Sequence, residues 1–270
     1  MSHSLIIDEN NHAWSFGKNY HGQLGLGDKE DRYIPTKISN MKVKKISAGG
    51  NFSLIIDFYD QLYIFGLLLY EDFSSPKLIS FLKIKDISAG WKHFLIIDIY
   101  DDVWSLGENS YGQLGLGDYV TRTVLSQIPI IKNDKNIGFF KAKKISAWNS
   151  RSYIIDMDNN IWECGYLGYG KKINVFTLSE SPKGKDISHG AMNSGSLFVI
   201  DLDNNVWIRN DVDYEYYEKY YKKSNEEKSN RKEFKIIPNI KAKYIASALG
   251  ISIMILGHMN TSEITEIDVK

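Results

Sequence analysis

The chain has 270 residues, 43% of them hydrophobic and 13% aromatic, which excludes a disordered polypeptide. No apolar run approaches the ~18 residues that a membrane-spanning helix needs, so no membrane partner is expected. Lys and Arg total 33 and Asp and Glu total 33, which removes the basic bias usual in nucleic-acid binders; nucleic acid is not an expected partner. Cys164 is the only cysteine, so no internal disulfide forms. The opening "MSHSLIIDEN" has neither a basic leader nor a small-residue cleavage site, and the chain reads as cytoplasmic or nuclear, not secreted. The Lys, Asn and Ile bias would suit a large DNA virus or an AT-rich microbe; if viral, the setting is the host cell.

In chain order, "SLIID" (4–8) turns through "ENN" into "HAWSFG" (12–17), the first hairpin. A glycine-rich run, "NYHGQLGLGD" (19–28), follows, then "IPTKI", "KKISAG" (44–49) and a second "SLIID" (53–57). The same order recurs with "QLYIFG", "SPKLI", "KDISAG" and "FLIID", and again with "DVWSLG", "NSYGQLGLGD" (109–118), "KKISAW" and "SYIID". Later copies are "NIWECG", "KDISHG", "LFVID", "NVWIRN", "FKIIP", "KYIASA" and "SIMIL". Each phrase is β-branched or aromatic and bounded by Gly, Asn, Asp or Pro, so each is a predicted strand. Asn and Asp between the "IID" and Trp strands suit tight hairpin turns. Four antiparallel strands per unit, recurring about every 40 to 60 residues, predict propeller blades.

The run "AWSFGKNYHGQLGLGDKEDRYIPTKISNMKVKKISAGGNFSLIID" (13–57) resembles one repeat of the RCC1 (regulator of chromosome condensation) family, and "VWSLGENSYGQLGLGD" resembles another. The resemblance implies an all-β, RCC1-like β-propeller of four-stranded antiparallel blades and, in the family, seven of them. This chain holds five full repeats (about 3–50, 51–90, 91–149, 150–190 and 191–250) and a partial one (251–270), so a single propeller domain of five or six blades is expected. An incompletely closed ring would leave sheet edges open to partner strands. The second repeat has "GLLLYEDFSSP" in place of the glycine loop, the fourth keeps only "GYLGYG", and the fifth carries an insertion at 210–233.

"GQLGLGD" lacks the Gly-Lys-Ser/Thr of a phosphate loop, reverses the dinucleotide glycine order, and opens no helix. Gly22, Gly25, Gly27, Gly112, Gly115 and Gly117 are therefore read as structural turn glycines. Strand polarity puts these loops on one face, together with the turns that follow "ISA". The candidate partner-binding residues lie there: Trp91, His93, Trp148, His189, and Tyr214, Tyr216, Tyr217, Tyr220 and Tyr221 of the insertion. The opposite rim gathers lysines from "KVKK", "KIK", "KAKK", "KGK" and "KAK", which Asp8, Asp57, Asp98, Asp156 and Asp201 are expected to offset. Trp14, Trp104, Trp162 and Trp207 recur at one repeat position and are read as blade packing, and Cys164 as buried. The six histidines have no metal-ligand spacing, and no catalytic constellation is legible. No cofactor, metal, small-molecule substrate or enzyme activity is expected.

Three functions stay open. The first is a non-enzymatic module that binds a protein through the glycine-loop face. The resemblance also implies guanine-nucleotide exchange on a Ran-like small GTPase, by wedging it open. "GWKH" (90–93) is similar to the tryptophan motif of the family's ultraviolet photoreceptors, which makes light reception the third.

Overall fold

The computed structural model describes residues 3–168, 170–190, 196–210, 233–248 and 251–256, and every regular element among them is a strand. None is a helix long and apolar enough to cross a membrane. The first blade holds β1 (His3–Ile7), β2 (His12–Gly17) and the first half of β3 (Arg32–Ala48). The second half of β3 opens the next blade, with β4 (Phe52–Asp57), β5 (Leu62–Leu68) and β6 (Glu71–Ser80). The third blade is β7 (Ile84–Ala89), β8 (His93–Asp98), β9 (Val103–Gly107) and β10 (Arg122–Gln127); the separate hairpin of β11 (Pro129–Lys132) and β12 (Lys135–Phe139) follows it. The fourth is β13 (Ala142–Trp148), β14 (Arg151–Asp156), β15 (Ile161–Tyr166) and β16 (Lys172–Leu178). The fifth is β17 (Gly184–Gly190), β18 (Ser196–Asp201), β19 (Asn205–Asn210) and the start of β20 (Lys235–Ala248), whose end pairs with β21 (Ile251–Leu256) to begin a sixth.

The architecture is the all-β propeller of antiparallel four-stranded blades, and among the described residues no sheet closes the ring. Among the described residues, blades two to five are four-stranded, the first has three strands and the sixth two. The sheets begin with the "ISAG" strand, whereas the repeats read from the sequence end there. Among the described residues the first blade has no such strand. Physically, β3 and β20 run without interruption from the outer edge of one blade into the inner edge of the next.

The "ISAG" strands β3, β7, β13, β17 and β20 pack one on the next and form the inner ring. Every inner strand meets its "IID" strand in the same register: Ile46↔Ile55, Ile87↔Ile96, Ile145↔Ile154, Ile187↔Val199 and Ile245↔Met254, each with a bulge just before it. The core is a series of apolar layers between blades. Leu54, Ile56, Ile87 and Ile96 fill the junction of the second and third, and Leu95, Ile97, Ile145 and Ile154 the next. Alternate residues of one "IID" strand thus enter two different layers, so the strand must be apolar on both faces. Large buried side chains of this kind each contribute about 1.5–3 kcal/mol.

Sequence reading missed the β11–β12 hairpin. Its signal is "KNDK", where Asn133 and Asp134 both take positive φ (49° and 58°), the requirement of the two-residue turn that matches strand twist.

Candidate functional site

The glycine loops leave the ends of the Trp strands beside the turns that follow "ISA", because Leu67, Glu108 and Tyr166 donate their N–H groups to Asn51, Lys92 and Ser150 carbonyls in those turns. In the first loop the Asn19 side chain accepts from Leu24 N (2.9 Å) and donates to the Asp28 carbonyl (3.1 Å), while Gln23 Oε1 accepts from His21 N (2.9 Å). Asn109, Asp118, Leu114, Gln113 and Tyr111 reproduce that network in the third blade. Arg32–Asp28 and Arg122–Asp118 ion pairs close both loops.

Gly22, Gly25, Gly27, Gly112, Gly115 and Gly117 all have positive φ, between 69° and 88°. The loops also dock on the following blade: Gly27 N donates to Ser74 O and Gly117 N to Asn174 O, both 2.8 Å. A Cβ at Gly25 would stand 2.8 Å from the Phe65 ring, and one at Gly115 2.3 Å from the Phe176 ring. These runs are interblade clasps, and no helix N-terminus adjoins them to hold a phosphate. Cys164, fully buried, occupies in the fourth blade the strand position that Phe65 fills in the second, and Phe176 makes up the lost volume.

Around the axis on this face, Gly50 N donates to Trp91 O (3.2 Å) and Trp91 N to Asn149 O (2.9 Å), which link the inner turns of three blades. Trp91 and Trp148 are half-buried. The Trp148 indole stacks on the His189 ring with centroids 4.2 Å apart and planes 18° apart, and Tyr153 lies 5.7 Å beyond. His93 and His189 are 0% and 3% exposed, so neither offers surface to a partner, and that part of the expectation is corrected. His93 Nε2 donates to Ser152 Oγ (2.9 Å), which donates to the Gln113 carbonyl (2.6 Å) at the heart of the glycine loop. Burial holds its pKa down at about 4, against the weaker opposing pull of the Arg151 and Asn149 carbonyls, and the ring is neutral. His3, Ser53 and Gln23 form the same relay between blades one and two. Sequence reading missed this relay, although its signal was visible: His, in two blades, five residues before the "IID" aspartate. Tyr214, Tyr216, Tyr217, Tyr220 and Tyr221 lie outside the described residues. Next to that insertion, Arg209 and Glu163 form a buried bidentate pair (2.6 and 3.2 Å) across blades four and five.

On the opposite face, the lysines are taken up by blade junctions. Lys141 and Lys241 donate to the carbonyls of Tyr100 (2.7 Å) and Asp203 (3.0 Å) in the preceding hairpin, and Lys42 and Lys83 bond Asn10 and Tyr59 in the same way. The next lysine, Lys44, Lys85, Lys143 or Lys185, reaches the positive-φ residue of its own blade's turn, respectively Asp60, Asp101, Asn159 and Asn204. The aspartates expected to offset them serve otherwise. Asp8, Asp98, Asp156 and Asp201 cap their own turns and accept the indole N–H of Trp14, Trp104, Trp162 and Trp207 at 2.8–3.0 Å. The His12 backbone N–H, then the Trp14 indole, hold the Asp8 pKa at about 2. Burial alone would raise Asp156 and Asp201, but the indole, Asn and backbone donors together hold both below the ordinary range. Exposed apolar residues, Tyr59, Phe81 and Tyr100 among them, stand on this face. Among the described residues no group of three His, Cys, Asp or Glu could hold a metal.

The Regulator of chromosome condensation (RCC1) repeat matches residues 10–56 and again residues 84–113. The chain carries RCC1 repeats at these two stretches. Protein RCC2 homolog of Xenopus laevis is 40% identical over 68 residues, 24% of this chain and 13% of that protein. The X-linked retinitis pigmentosa GTPase regulator of Canis lupus familiaris is 31% identical over 194 residues, 69% of this chain and 15% of its own length. The Ultraviolet-B receptor UVR8 of Arabidopsis thaliana is 35% identical over 68 residues, 24% of this chain and 16% of the receptor. The matches thus span 13–16% of these relatives. Among solved structures, yeast RCC1 (Prp20), in its complex with Kap60, superposes with a TM-score of 0.70 at 18% identity, covering 94% of this chain and 66% of that one. That likeness carries the propeller fold.

Proposed function

We propose that this RCC1-repeat chain is a non-enzymatic interaction module whose protein partner docks on the glycine-loop face. The observation that supports it is a set of exposed tyrosines on pinned loops around half-buried Trp91 and Trp148: Tyr20, Tyr70 and Tyr119 are 69%, 92% and 49% exposed. Tyrosine suits recognition surfaces, and loops already held by Asn19 and Asn109 lose little entropy on binding. The test is co-purification from the native cell with two triple variants, Tyr20→Ala/Trp91→Ala/Tyr119→Ala on this face and Tyr59→Ala/Phe81→Ala/Tyr100→Ala on the other. Partner loss with the first set alone supports the reading; loss with the second alone overturns it. A third bait lacking residues 210–233 asks whether the insertion takes part.

A second reading, exchange on a Ran-like small GTPase, draws on the name of the GTPase-regulator relative that matches 69% of this chain. Its test is release of labelled GDP from Ran by stopped flow. No acceleration at micromolar protein sinks it.

A further inference from the structure

Of the five strands that end in the "IID" aspartate, two carry a histidine five residues before it, His3 and His93; the other three hold Phe52, Arg151 and Ser196 there. The two histidine blades are also the two with a full "GQLGLGD" loop, and each histidine is tied to the centre of that loop. His93 Nε2 meets Ser152 Oγ at 2.9 Å, and Ser152 donates to the Gln113 carbonyl at 2.6 Å. His3 Nε2 meets Ser53 Oγ at 2.8 Å, and Ser53 donates to the Gln23 carbonyl at 2.8 Å. The serine belongs in both cases to the next blade, so one run of hydrogen bonds joins two blades and the loop between them. Because the one Ser152 proton goes to Gln113, His93 donates from Nε2, which leaves Nδ1 as the bare ring nitrogen. That atom is buried, meets no hydrogen-bond partner, and packs on Gly90, where a Cβ would stand 2.5 Å from it. A proton arriving there makes a cation on a residue that is 0% exposed, a cost that the Arg151 and Asn149 carbonyls only partly offset.

We propose that the two relays are acid-released latches: protonating the histidine breaks its link through serine to the loop, and the glycine loop lets go of the following blade while the blades stay folded. Arg151, at the histidine's place one blade on, is a fixed cation and adds to the cost of charging His93. Burial pushes the Cys164 thiol beside Ser152 up, so it stays neutral, and the Lys92–Glu108 pair at the turn is part-exposed. The loops' own ion pairs are Lys18–Asp31, Arg32–Asp28 and Arg122–Asp118. The Lys18 ammonium keeps Asp31, the Glu30 amide keeps Asp28, and Arg122, against burial, keeps Asp118 below the ordinary carboxylate range. These pairs therefore stay charged while the histidines protonate. Tyr20 and Tyr119 sit on or beside the loops, so release disorganises the proposed docking face; that consequence rests on the reading given above, whereas the latch does not, and its test needs no partner.

The test is amide exchange in the full chain at pH 7 and pH 4.5, read as protection factors so that the intrinsic effect of pH cancels. Leu114 and Gly117 report on the third blade's loop, Leu24 and Gly27 on the first, and Ile55 and Ile96 on the strand cores. A histidine near 6.5 in the open state and about 4 in the closed one predicts about 50-fold less protection of the loop amides at pH 4.5, with the strand cores less affected. In His93→Gln the step should vanish at Leu114 and Gly117 and persist at Leu24 and Gly27; His3→Gln should do the reverse. Where one variant does not fold the other still decides, and the imidazole resonances of the unaltered chain report His93 protonation directly. Unchanged loop protection at pH 4.5, a loss in step with Ile55 and Ile96, a loss that survives in His93→Gln, or a His93 ring that titrates near its ordinary value overturns the proposal.

Discussion

The pentapeptide Ser-Leu-Ile-Ile-Asp occurs twice, at residues 4–8 and 53–57, and has two different environments. In β4 every residue is buried; in β1 the pattern alternates between exposed and half-buried, with Ile6 43% exposed against 1% for Ile55. Both strands are apolar on both faces because the motif suits a strand between two blades and beside an inner strand. At β4 the inner strand β3, the hairpin partner β5 and a blade on each side are all present. At β1, among the described residues, only β2 and the second blade are. The motif records what the strand is built to pack against, and burial depends on whether those neighbours arrive.

That contrast can be broken at several points. The largest effect is expected from Ile55→Ala, which should cost about 3 kcal/mol in urea unfolding, while Ile6→Ala costs under about 1 kcal/mol. Equal losses would mean that β1 is covered. Next is the histidine relay. A buried His93 with a pKa of about 4 stays neutral when the unfolded chain, near 6.5, takes up a proton. Its stabilising effect is thus complete above about pH 6.5 and lost as pH falls toward 4, by up to about 3 kcal/mol. His93→Gln should flatten the fall of melting temperature over that window, and an unchanged pH profile would dismiss the relay.

Gly25→Val probes the clasp between the first two blades. A positive φ and the Phe65 ring 2.8 Å from the new Cβ predict about 2 kcal/mol. Gly170→Ala, which also has positive φ but open space around it, should lose less, and a thermal melt of both variants separates conformation from crowding. The smallest effect is expected from Lys44→Ala, whose ion pair to Asp60 is part-exposed: about 0.5 kcal/mol, and less in 1 M salt. A larger or salt-insensitive loss would give that junction more than a surface contact.

The blades were legible because their strands repeat. "ISAG", "IID" and Trp phrases appear in fixed order, and local turn chemistry, Asn and Asp at positive φ, marks where each hairpin reverses. Cys164 was legible as buried, since it sits in a strand flanked by apolar residues. His93 was misread from its place beside a turn; only the three-dimensional approach of Ser152, 59 residues away, shows it as an interblade relay. The rim lysines were seen as a group, but their partners were assigned to the wrong aspartates, because Asp8, Asp98, Asp156 and Asp201 are engaged by turn amides and indoles at short range.

By itself, then, the amino-acid sequence determined strand identity, turn positions, blade class and the turn role of the glycines, all of which follow from periodicity and backbone preference over a few residues. Tertiary structure alone decided which blade each clasp grips, which carbonyl each lysine meets, and that, of two identical pentapeptides, one is buried throughout and the other half-exposed. Those depend on neighbours tens of residues distant, and identical local sequences cannot distinguish them.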